Sequence, residues 1–150
     1  MSIEKSQIVE LFKILHDTYI EDFEKKNTSL IFKIAADFLL DYIYPGQSHL
    51  FLEFKDISKF EFVDWSESMT KYNDFKLLPN IVREIWITNG GLNENGMIEI
   101  HGHGGNSPDN TSCGGSIVIG CNDLIILNEN KSEILIDQLR KAADLFNKNH

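Results

Sequence analysis

The sequence predicts an α+β domain, an antiparallel sheet of about five to six strands flanked by two N-terminal helices and one C-terminal helix. Three observations carry that expectation. Apolar residues recur at helical spacing near both ends, at residues 6–20 and 131–148. The period changes to two at His49. The segments between are joined by short links rich in Gly, Asn and Asp, the length and chemistry of antiparallel turns.

Taken in order, Ile8, Leu11, Phe12, Leu15 and Tyr19 form one face of an amphipathic helix, with Ser2 or Ser6 to cap it. The polar run Glu21 to Asn27 ends that helix. Thr28-Ser29 supplies a new cap, and Leu30 to Tyr44 reads as a second helix, stopped by Pro45-Gly46. Its charges Lys33, Asp37 and Asp41 lie four apart on one stripe, so most of its circumference is expected in the core. From His49 to Lys55, Leu50, Leu52 and Phe54 alternate with Phe51, Glu53 and Lys55. Asp56 to Lys59 turns the chain, and Phe60 to Val63 is expected to pair antiparallel with that first strand. Residues 64–79 lack a period and read as an irregular connection. Ile81 to Thr88 alternates Arg83, Ile85 and Ile87 against Val82, Glu84 and Trp86, a third strand. Asn89 to Gly96 supplies a turn and Met97 to His103 a fourth strand. Gly102 to Gly115 is expected as a surface loop. Ser116–Gly120 and Leu124–Asn128 follow as two strands about a Cys121-Asn122-Asp123 turn. Lys131 to Lys148 closes the chain as a helix, with Ile134, Leu135, Leu139, Ala142, Ala143 and Phe146 inward.

At 150 residues, with 42% apolar and 11% aromatic residues, the chain has the size and apolar content of one domain with its own core. The first residues, Met1 to Lys5, lack the basic and apolar regions of a secretory leader. A cytoplasmic protein with reduced Cys113 and Cys121 is therefore expected. The net charge of −9 is spread along the chain: 5 basic and 8 acidic residues in 1–46, 5 and 9 in 47–100, 4 and 6 in 101–150. Such a charge repels phosphate backbones and anionic membranes, and it speeds encounter with a basic partner.

The chemistry-bearing residues are few. His101-Gly102-His103 places two imidazoles on one face of a strand, where a metal ion would need a third ligand from His49, Asp109 or Cys113. With Gly96 before it, the pair is similar to the first half of the cupin motif. No Glu follows before Gly114, however, and the second cupin motif is absent, so the cupin ligand set is incomplete. A small metal-dependent enzyme or sensor on His101 and His103 is the alternative reading. Cys113 before Gly114-Gly115 offers a nucleophile with a histidine base, but it precedes a strand and not a thiolate-favouring helix N-terminus. The glycines Gly102, Gly104 and Gly105 lack the following helix and Gly-Lys-Ser/Thr of a phosphate loop. The paired acids Glu21 and Asp22 sit in the polar run. No enzyme is expected, and no cofactor.

The densest binding signal runs from Glu53 to Tyr72. Glu53, Asp56, Glu61, Asp64 and Glu67 are interleaved there with Phe60, Phe62, Trp65 and Tyr72, against Lys55 and Lys59. Carboxylates beside aromatic anchors suit a protein interface, and the expected partner-binding residues are Glu53, Asp56, Glu61, Asp64, Trp65 and Glu67. The same patch suits a homodimer seam. In size, acidity, lack of catalytic motifs and the strand Leu50-Phe51-Leu52-Glu53-Phe54-Lys55-Asp56-Ile57, the chain resembles the small bacterial immunity proteins, including those paired with contact-dependent inhibition toxins. That resemblance implies a non-enzymatic protein that neutralises a cognate basic toxin, such as a nuclease, through an acidic face.

Overall fold

The computed structural model describes residues 3–65, 69–74, 76, 84–106 and 114–150. The strands are β1 (Tyr19–Lys26), β2 (Ser29–Ala35), β3 (His49–Lys55), β4 (Lys59–Asp64), β5 (Lys71–Tyr72), β6 (Glu84–Leu92), β7 (Ile98–Asn106), β8 (Gly115–Gly120) and β9 (Asp123–Leu127). The helices are α1 (Ile8–Ile14), α2 (Asp37–Leu40) and α3 (Ile136–Asn149). Among the described residues all nine strands join one sheet in the order β5-β4-β8-β7-β6-β1-β2-β3-β9, with every pairing antiparallel. This corrects the expected five to six strands with two N-terminal helices.

The second of those helices is the largest correction. Leu30 to Ala35 is strand β2, and only Asp37–Leu40 of the expected Leu30–Tyr44 helix is α-helical. The segment Leu30-Ile31-Phe32-Lys33-Ile34-Ala35 satisfies both periods. Its buried residues Leu30, Phe32 and Ile34 alternate with half-exposed Ile31, Lys33 and Ala35. Ladders on both sides, to β1 and β3, decide for the strand. The polar run Glu21 to Asn27 is likewise β1, joined to β2 by a two-residue Asn27-Thr28 turn with Asn27 at φ 56°. Only Ile20 and Phe23 in β1 are buried, so its core face is nearly silent in the sequence.

The expected hairpins of β3 with β4 and of β8 with β9 do not form either. β3 pairs with β2 and β9, whereas β4 pairs with β8 and β5. Five strands lie between β3 and β4 in the sheet, about 29 Å if the sheet were flat at ~4.8 Å per strand. The link from Lys55 to Lys59 spans at most about 15 Å at ~3.8 Å per residue, so the sheet must curl until its two ends meet. They meet at two adjacent corners. Ser58 N–H donates to Gly120 O (2.8 Å) and Asn122 N–H to Lys55 O (2.9 Å). Asp56, at φ 53°, accepts hydrogen bonds from Thr28 Oγ1 (3.1 Å) and Asn122 Nδ2 (3.4 Å).

The core face gathers one apolar cluster that includes Phe32, Phe54, Phe62, Leu52, Ile100 and Ile117, with Leu11 and Phe12 from α1 and Leu15 just after it. β6 extends through Asn89-Gly90-Gly91, residues expected in a turn, because Phe12 packs where a Gly90 Cβ would stand. The described turn is Asn93 to Gly96. Lys71–Tyr72 adds a short strand inside the expected irregular connection, with Tyr72 stacked on Phe62. β7 runs to Asn106 and so takes over the start of the expected Gly102–Gly115 loop. α3 begins at Ile136, five residues later than expected, after Asn128 Oδ1 has closed a turn by accepting the N–H groups of Asn130 and Ser132. Leu135, expected inward, is exposed. Arg140 ties α3 to α1 through both oxygens of Glu10 and also meets Asp137. That contact holds the Glu10 carboxyl below its usual range. No helix among the described residues is long and apolar enough to cross a membrane.

Candidate binding face on the outer side of the sheet

Strand alternation sends every second residue away from the core, and those outward residues set the candidate site. Across β4, β8, β7, β6 and β1 the register aligns them in rows. One row runs Trp65, Gly114, His103, Trp86, Tyr19: Trp65 N–H donates to Gly114 O (2.9 Å), Trp86 is opposite His103, and Tyr19 is opposite Trp86. Rings touch at both ends of it. Tyr19 and Trp86 centroids lie 5.0 Å apart, and Trp65 stands edge-on to His103 at 6.2 Å and to His101 at 5.7 Å. The next row is Val63, Ser116, His101, and the one after it Glu61, Val118, Glu99.

Local contacts fix these side chains. Trp65 Nε1–H donates to Ser116 Oγ (3.1 Å), which orients the indole over β7. Thr88 Oγ1 donates to His101 O (3.2 Å), and His101 Nε2 lies 3.5 Å from Glu99 Oε2. Gly114 stands at φ 114°, and a Cβ there would strike Gly102 O and the His103 backbone, so the floor between His103 and Trp65 is bare main chain. Trp86 is 40% exposed, an unusual exposure for a side chain whose burial is worth several kcal/mol, of order 2–3. Lys59 and Lys71 mark the margin of this patch on β4 and β5.

The sequence-expected interface residues are dispersed. Trp65 and Glu61 belong to the outer rows just described. Asp64 points to the core side of β4 and is 7% exposed. Glu53 lies on the outer face of β3, between Ile31 and Ile125, with five strands separating it from Glu61's own strand. Asp56 is spent on the corner. Glu67 lies outside the described residues. Sequence reading missed Tyr19 and Trp86, yet Trp86 carried a signal: it alternates with Ile85 and Ile87, which places an indole on the solvent side of a strand.

His101 and His103 do share a face, as their spacing requires. Of the suggested third ligands, His49 is engaged elsewhere, with Nε2 2.7 Å from Glu21 Oε2 and Nδ1 3.0 Å from Ser48 Oγ. Asp109 and Cys113 lie outside the described residues. Among the described residues no three His, Cys, Asp or Glu side chains gather to hold a metal ion. Cys121 is a half-buried free thiol whose pKa is pushed up by burial, which disfavours the thiolate. No known family model, curated protein or solved structure matches the chain.

Proposed function

We propose that this chain is a non-enzymatic binding protein of the immunity type, which neutralises a basic protein toxin by docking it on the outer face of β4, β8, β7 and β6. The single observation that carries the reading is the row Tyr19, Trp86, His103, Trp65: two pairs of touching rings, Tyr19 with Trp86 and His103 with Trp65, joined by the Trp86–His103 register on one face of the sheet. Large rigid amphipathic rings bury much area at little entropy cost, and binding hot spots are enriched in them. Glu61 and Glu99, two rows on, provide carboxylates for cations of the partner, and the chain's charge of −9 speeds their encounter. Occlusion needs no catalytic group, and the partner is held by area and charge.

Co-expression with the product of the adjacent gene tests this. A stoichiometric complex is expected, with an association rate that falls as salt rises. Trp86→Ala is expected to weaken it by a factor of roughly 30 or more, about 2 kcal/mol. A complex indifferent to Trp86→Ala and Trp65→Ala would remove this face from the reading.

A further inference from the structure

We propose a second, independent site: a cleft for a small organic anion at the corner where the sheet ends meet. The cleft holds about 310 Å3 and lies between the β1–β2 turn, the β3–β4 corner and the residues after β5. Its cations are Lys25 and Lys59, and its floor is Leu30, Ile57 and Phe60.

The register makes Lys25 unusual. β1 turns Ile20 and Phe23 to the core, and Lys25 takes the next core-facing position, directly opposite buried Leu30. A lysine there projects its ammonium past the end of the apolar core and into the cleft mouth. Lys59 reaches the same cleft from the start of β4. Neither lysine forms an ion pair among the described residues. The one carboxylate in the lining, Asp74, accepts the Lys76 N–H (3.0 Å). Around the cations, Asn27, Ser29, Ser58 and Asn73 add neutral donors. In a chain of net charge −9, two lysines lining one cleft with an apolar floor, neither ion-paired among the described residues, select an anion with an apolar body. The volume is at the lower end of small-molecule sites and fits a single-ring carboxylate or phosphate monoester. The two lysines hold the anionic head, and Leu30, Ile57 and Phe60 take the ring.

Titration of the full chain with phenyl phosphate, followed by amide and lysine-side-chain NMR, tests this. Saturable shifts are expected at Lys25, at the Asn27–Ser29 turn and at Ile57–Lys59. Inorganic phosphate, lacking the ring, is expected to bind several-fold more weakly, and benzoate reports whether a carboxylate serves as well as a phosphate. Lys25→Met keeps the apolar stem and is expected to weaken binding about tenfold. Lys26→Met, one residue on and facing outward, is the matched control and is expected to change nothing. The proposal is overturned by shifts that do not saturate, by equal affinity for phenyl phosphate and inorganic phosphate, or by equal losses in Lys25→Met and Lys26→Met. An unaltered thermal melt of Lys25→Met keeps a loss of binding distinct from a loss of fold.

Discussion

The outer face of the curled sheet divides into two halves that solve the same problem differently. Over β1, β2, β3 and β9 the outward residues neutralise one another. Asp22 is directly opposite Lys33, Glu53 and Lys55 alternate on β3, and Lys131 Nζ sits 3.9 Å over the Phe51 ring. Over β4, β8, β7 and β6 the central rows hold indole, imidazole, valine and glutamate, with lysines only at the margin. The first half sets its charges in opposite-sign neighbours among half-buried Ile31, Phe51 and Ile125. The second leaves aromatic area, Trp86 above all, in water, which the proposed partner would cover. The two halves meet at the Tyr19–Trp86 contact, so the division falls within a single pair of strands.

The largest expected effect tests the backbone that shapes the aromatic half. Gly114→Ala forces a side chain onto φ 114° and into the Gly102 carbonyl, and is expected to cost at least about 2 kcal/mol in chemical denaturation. The opposite half has its own left-handed residue, Asn27 at φ 56°, but Asn27→Gly there is expected to change stability by only a few tenths of a kcal/mol, roughly. Equal losses at both positions would erase the distinction.

Next in size are the ring deletions. Trp86→Ala and Trp65→Ala are expected to weaken the proposed partner complex by about 2 kcal/mol each, while Phe51→Ala on the neutralised half leaves the affinity unchanged. Calorimetric titration of all three variants against the same partner decides it. If Phe51→Ala weakened binding as much as Trp86→Ala, both halves would be interface.

Charge changes come third. A double-mutant cycle on Asp22→Asn and Lys33→Met is expected to return a coupling of roughly 0.2–1 kcal/mol to folding, the range for opposite charges facing across a ladder. Glu61→Gln and Glu99→Gln are expected to leave folding stability within about 0.5 kcal/mol and to slow association with the partner, measured at low and high salt.

How much of this was legible in the sequence differs between the same two halves. β3 announced itself because Leu50, Leu52 and Phe54 alternate strictly, and β8 and β9 lie close to their expected bounds. β1 was hidden because Glu21, Asp22, Glu24, Lys25 and Lys26 are all charged, and only Phe23 in that run marks a core face. β2 was hidden because six consecutive apolar or single-charge positions fit a helix as well as a strand, and the choice was made by partners distant in sequence. The curl was illegible for the same reason: a three-residue link predicts a hairpin, and only the complete strand order shows that it crosses a corner. Of the proposed interface, Trp65 and Glu61 were read from local density, but local density also swept in Asp64, whose parity sends it to the core. Parity along a strand would have separated them. It would also have picked out Trp86.

The smallest effect concerns the way the neutralised half is anchored. Glu129, just beyond β9, accepts the N–H groups of Ser48 (2.6 Å) and His49 (3.2 Å) at the start of β3, and those two donors hold its carboxyl below the usual value of 4.5. A carboxyl depressed in the folded state stabilises it above the unfolded pKa, and the contribution disappears as pH falls through the lower folded value. Glu129→Gln should therefore lower the melting temperature slightly at pH 7, and the difference from the parent should vanish as the buffer is taken well below pH 4.5. Hydrogen exchange localises the effect. The Ala36 amide, which donates to Ser48 O (2.9 Å), should exchange faster in the variant at pH 7, while amides of β7 and β8 stay at parental rates. A change that reached β7 and β8 would mean that the two halves open together and that the division of the outer face stops at its surface chemistry.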